Sequence, residues 1–128
     1  MTTKKILIID DDPDITRSLQ VTLEDASYEV HTANNVTDGL EKLKTVFPDL
    51  LILDVMMEST FEGHSFAIRI KKEPEYINMP ILVITGIMNQ LGIDFKDAFD
   101  DYMAMPLVFY LDKPVDPEEL LIRVAKLI

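Results

Sequence analysis

Two unbroken apolar runs end in aspartate. Leu50-Leu51-Ile52-Leu53 leads into Asp54, and Ile6-Leu7-Ile8-Ile9 leads into Asp10-Asp11-Asp12. A third run, Ile81-Leu82-Val83-Ile84, ends in Thr85, and a shorter one, Phe109-Tyr110-Leu111, leads to Asp112-Lys113-Pro114. Carboxylates, a hydroxyl and an ammonium thus follow four strand-like segments. In an open α/β sheet the carboxyl ends of the strands are where ligands and chemistry sit. With the first and third strands as neighbours, Asp10, Asp11 and Asp54 crowd together. Two such charges about 4 Å apart repel by about 1 kcal/mol in water and about 4 kcal/mol at an effective dielectric of about 20. A hard divalent ion offsets this, and Mg²⁺ does so with one or two carboxylates while keeping several waters. Lys113 supplies a second positive charge. A carboxylate beside such charges can attack a phosphoryl group in line, because phosphoryl transfer asks mainly for positioning and charge stabilisation. Thr85 would donate its hydroxyl to a phosphoryl oxygen. Each piece alone has a plainer reading: a helix cap with surplus acids, a strand-end threonine, a solvated lysine. Their joint placement at matching strand ends outweighs those readings.

The elements that must position these groups alternate in type. Ile6–Ile9 predicts a strand. Pro13 to about Ser27 predicts a helix: Asp12 can cap it, Pro13 suits its first turn, and Ile15, Leu19 and Leu23 recur on one face. Glu29–Ala33 predicts a short second strand. Asn35 to about Val46 predicts a helix with Leu40 and Leu43 inward, ended before Pro48. Leu50–Leu53 is the third strand, and Gly63 to Lys72 a helix with Phe66 and Ile70 inward. Pro80 precedes the fourth strand, and Phe109–Leu111 is the fifth. The last helix starts near Asp116-Pro117-Glu118-Glu119 and turns Leu120, Leu121, Val124 and Ile128 inward. Continuous apolar strands mean that both sheet faces are covered, so the pattern predicts a parallel sheet between helix layers. Gly86 to Pro106 admits two readings, a helix across Phe95–Tyr102 or a long irregular loop.

The totals bound the function. A chain of 128 residues, 48% of them apolar, is one domain with a proper core. The organisation predicts a single domain over residues 1–128 without an output domain. The net charge of −11 repels nucleic acid and anionic membrane. The absence of cysteine excludes disulfides, thiolate catalysis and zinc–thiolate sites. No apolar stretch approaches a membrane span, and the N-terminus lacks a signal-peptide pattern. A soluble cytoplasmic protein is expected. His31 and His64 are single histidines without metal-ligand spacing.

Taken together, Ile6 to Ile15, Leu51-Ile52-Leu53-Asp54-Val55-Met56-Met57, Ile84-Thr85-Gly86 and Asp112-Lys113-Pro114 closely resemble the receiver domain of bacterial two-component response regulators. The resemblance covers nearly the whole chain and is specific as an ordered set. It implies a flavodoxin-like (βα)5 three-layer sandwich, with a five-stranded parallel sheet in the order 2-1-3-4-5 and an irregular or reduced fourth-helix region. It implies that Asp54 accepts a phosphoryl group from a sensor histidine kinase or a histidine phosphotransfer protein. Asp11 and Asp54 would bind Mg²⁺ directly, with the backbone carbonyl of Met56 as a third protein ligand. Asp10 would act through a metal-bound water. Thr85 and Lys113 would hold the phosphoryl oxygens, and Thr85 and Tyr110 would form the switch. Output would pass to a downstream protein target, with no direct nucleic-acid or membrane contact. Such a chain is not an enzyme on external substrates; it would help only its own phosphorylation and dephosphorylation. Met56 and Ile87 occupy positions that flank the site in the family. Both are apolar here, which predicts slow attack by water and a long-lived phosphorylated state.

The chain departs from the family pattern in two places. Glu58 stands where a proline is usual, and Gly63 falls one residue late, so the loop Met57–Glu62 carries an insertion. The stretch from Thr85 to Lys113 is longer than usual and lacks the Gly-Ala-Asp-like segment before the fifth strand. Two further readings therefore stand beside the first. One is a degenerate receiver that binds partners without phosphorylation. The other is a haloacid-dehalogenase-type phosphatase, with Asp10 as nucleophile and Asp12 as acid–base; it leaves Asp54 idle.

Overall fold

The computed structural model describes residues 3–54, 66, 69–85, 107–112 and 115–128. Five strands form one sheet: β1 (Lys5–Ile9), β2 (Glu29–Ala33), β3 (Leu50–Asp54), β4 (Ile81–Thr85) and β5 (Val108–Asp112). Three helices have described bounds: α1 (Pro13–Asp25), α2 (Val36–Val46) and α3 (Pro117–Leu127). Phe66 and residues 69–71 are also helical, and a 3₁₀ turn covers Pro74–Tyr76. The strand order is β2-β1-β3-β4-β5, and every pairing is parallel. This is the expected flavodoxin-like arrangement. Every residue of β3 is buried, as an unbroken apolar strand at the centre of a covered sheet requires.

Alternation along the strands divides the core. Ile6, Ile8, Leu50, Ile52, Leu82, Ile84 and Leu111 form one buried cluster with Leu19 and Leu23 of α1 and Leu120 and Val124 of α3. Ile9 points to the opposite face, where it meets Gly39 of α2. Helices therefore cover both sides of the sheet. Ile15, Leu121 and Ile128 are partly buried against the first cluster, completing the inward faces expected of α1 and α3.

The helix ends follow local chemistry. Asp12 caps α1 through bonds from the N–H groups of Asp14 and Ile15, Asn35 caps α2 from Asp38, and Asp116 caps α3 from Glu118. α1 closes at Asp25, before the expected end near Ser27. Ser27 adopts φ 74°, the Tyr28 N–H donates to the Leu23 carbonyl, and the Ser27 N–H donates to that of Glu24. That left-handed closure satisfies the last carbonyls and turns the chain into β2. The 57–62 loop, both readings of 86–106, and Met56, Ile87, Lys113 and Pro114 lie outside the described residues.

Candidate functional site at the carboxyl ends of the strands

The register sets the site. Ile9 of β1 stands opposite Leu53 of β3, so Asp10 and Asp54 are the next residues on adjacent strands at one sheet edge. Both are nearly inaccessible, at 3% and 4% exposure. Asp54 is in turn opposite Ile84 of β4, and Thr85 of β4 is opposite Asp112 of β5. Asp10, Asp54, Thr85 and Asp112 thus occupy one rim on four neighbouring strands. The switch reading of Thr85 and Tyr110 concerns side chains outside the described set.

The turn after β1 orders its three aspartates differently. The Asp10 N–H donates to the Ala33 carbonyl at 3.1 Å, so the chain stays paired with β2 as it leaves the sheet. The Asp10 Oδ1 accepts from the Asp12 N–H at 2.9 Å. This tight turn leaves Asp11 exposed at its apex. Asp12 caps the helix through its Oδ1. The Thr16 hydroxyl donates to the Asp12 carbonyl at 2.8 Å and reaches the Asp10 carbonyl at 3.5 Å. Sequence reasoning did not single out Thr16; its place four residues after a cap residue was the available signal.

The donor set is all oxygen, the chemistry a hard cation takes. Among the described residues no group of three or more His, Asp or Glu side chains closes into a metal cage. A site of one or two carboxylates completed by carbonyl and water oxygens suits Mg²⁺ without one. The residues therefore fit the ion that the resemblance implies.

Away from the rim, Lys71 is a buried cation that sequence reasoning missed. It is 8% exposed, and its ammonium donates to the carbonyls of Tyr76 and Ile77, each at 3.3 Å, and of Met79. Burial pushes its pKa below the usual lysine range. Asp49 was also missed: its Oδ2 accepts from the Lys5 N–H at 2.8 Å, tying the start of β1 to the approach to β3.

The model of the response regulator receiver domain family matches residues 6–125. The chain belongs to this family. As a receiver domain of two-component systems it is similar to the DNA-binding dual master transcriptional regulator RpaA of Synechocystis sp., at 33% identity over 126 residues. It is likewise 33% identical over 129 residues to the alkaline phosphatase synthesis transcriptional regulatory protein PhoP of Bacillus subtilis. These alignments cover 97% and 98% of the chain and 48% of each relative, so the chain spans about half the length of these curated relatives. Among solved structures it resembles the chemotaxis response regulator CheY4 of Vibrio cholerae, with 29% identity and a TM-score of 0.84. That match covers 99% of this chain and 100% of the other. No helix among the described residues of the receiver is long and apolar enough to cross a membrane.

Proposed function

We propose that this receiver is a phosphorylatable switch whose acceptor is Asp54. The register that sets Asp10 and Asp54 side by side, both nearly buried, carries the reading. Two carboxylates in that position repel, and a cation between them offsets the repulsion. Asp11, Asp54 and the Met56 carbonyl would hold Mg²⁺, with Asp10 acting through a bound water. Mg²⁺, when bound, neutralises charge on the acceptor and on the transferring phosphoryl oxygens.

An Asp54 carboxylate oxygen attacks the phosphorus of a phosphohistidine on a sensor kinase or a histidine phosphotransfer protein. The P–O bond forms, the P–N bond breaks, and the imidazole leaves. The Thr85 hydroxyl and the Lys113 ammonium hold the phosphoryl oxygens. The added charge of about −1.5 to −2, by analogy with other phosphorylated side chains, draws Thr85 toward it and lets Tyr110 turn inward. Output passes through contact with a protein target. The net charge of −11 supports protein contacts over direct nucleic-acid contact by this domain.

The test is incubation with Mg²⁺ and a small acyl phosphate or beryllofluoride, followed by mapping of the modified residue. Asp54 is the expected site, and Asp54→Asn abolishes labelling. Labelling of Asp10 instead would establish the phosphatase chemistry. No labelling of a folded protein would leave a module that binds without phosphorylation.

A further inference from the structure

Among the described residues β2 is the outer strand of the sheet, and its last residues, Thr32 and Ala33, line a cleft. The Glu29 N–H donates to the Lys4 carbonyl at 3.0 Å, and the Ala33 carbonyl accepts from the Asp10 N–H at 3.1 Å. Alternate residues of a parallel strand turn their backbone groups to the same neighbour. Glu29, His31 and Ala33 therefore face β1, and Val30 and Thr32 present their N–H and C=O groups to the open side. The Thr32 carbonyl accepts a hydrogen bond from the Lys42 ammonium, which reaches across from α2. That ammonium occupies the place where the N–H of an added strand would donate.

Beside Thr32, at the end of this edge, lies an open cleft of about 780 Å³ lined by residues of α1 and α2. Its walls carry three acids, Asp14, Asp38 and Glu41, against two bases, Arg17 and Lys42. The geometry points to a strand-addition site, distinct from the carboxylate rim, that accepts an extended cationic segment of a partner protein. Main-chain bonds to Val30 and Thr32 hold such a segment, and the acids along both walls receive its basic side chains. Lys42 keeps the edge closed until the segment displaces it. Charge selects this occupant over a second copy of the chain, because two copies would each bring a net charge of −11 to the contact.

The experiment uses the intact chain and a blocked peptide about seven residues long that alternates lysine with threonine and valine. Amide resonances and exchange rates of Val30 and Thr32 are followed during titration. Saturable binding is expected, with exchange at these two amides slowed by about tenfold or more. The same peptide N-methylated at alternate residues keeps its charge but cannot pair, and its binding is expected to be lost. Lys42→Met exposes the Thr32 carbonyl and is expected to raise affinity by about three- to tenfold. Equal binding of the N-methylated or of a glutamate-substituted peptide overturns the proposal, as does unchanged affinity in Lys42→Met. Protection of Val30 and Thr32 that grows with protein concentration alone overturns it in favour of self-pairing. Failure of the plain peptide to bind shows that Lys42 only blunts the edge, and also overturns it.

Discussion

At the scale of single residues, the buried lysine and the strand-end aspartates contrast in legibility. Asp10 and Asp54 could be read because each ends an apolar run, and the end of a parallel strand is a defined place in space. Lys71 could not. It lies in a charged stretch, Arg69-Ile70-Lys71-Lys72-Glu73, and its burial depends on a turn that brings three carbonyls back over it. An ammonium has three donors and so answers all three acceptors. Lys71→Met leaves those carbonyls without it and is expected to destabilise the fold by about 2–3 kcal/mol in urea unfolding. The lysine also gives a pH signature. Its folded pKa is lowered, so between that value and the unfolded one, about 10.4, the unfolded chain binds more protons. Stability from this group therefore rises as pH increases through that window, and the burial penalty is fully present below it. The difference in unfolding free energy between the wild type and Lys71→Met is expected to widen with pH across the window. A pH-independent difference would refute this.

Among the elements, periodicity made most of the architecture readable, and close approach between elements did not show in it. All five strands, the three capped helices and their inward faces follow from apolar spacing and from Asp12, Asn35 and Asp116. The contact of α2 with β1 rests instead on one missing side chain. A Cβ on Gly39 would stand 2.4 Å from Ile9 Cδ1, inside the covered core. Gly39→Ala gains about 1 kcal/mol in helix propensity and loses about 1–3 kcal/mol to overpacking, so net destabilisation is expected. Ile9→Val removes that Cδ1 but keeps the Cγ1 that would stand at 2.9 Å, so it should recover part of the loss in a double-mutant cycle. Additive effects would show that the contact is not what disfavours alanine. The closure of α1 was equally hidden, because a left-handed serine has no signature as strong as glycine. Ser27→Gly keeps the same turn without the Cβ strain and is expected to stabilise the domain by about 0.5–1 kcal/mol in thermal or urea unfolding.

For the whole molecule, acidity and architecture act together. A net charge of −11 disfavours compactness through self-repulsion. Raising NaCl from about 20 mM to about 200 mM is expected to raise the unfolding midpoint, since the screening length falls to about 7–8 Å. At matched ionic strength Mg²⁺ should add a further gain that grows with the logarithm of its concentration, about 2.7 kcal/mol at one hundred times its dissociation constant. Asp54→Asn should diminish that second gain and leave the first. Equal responses to both salts would remove the specific ion site. The parallel register has one more consequence. Sliding β1 past β3 by a single residue would send Ile9 and its alternates to the wrong side of the sheet. The separation of Asp10 from Asp54 is therefore quantised: it shifts by a full step with loss of the core, or stays put. A graded slip of these strands is thus closed off as a way of tuning the rim.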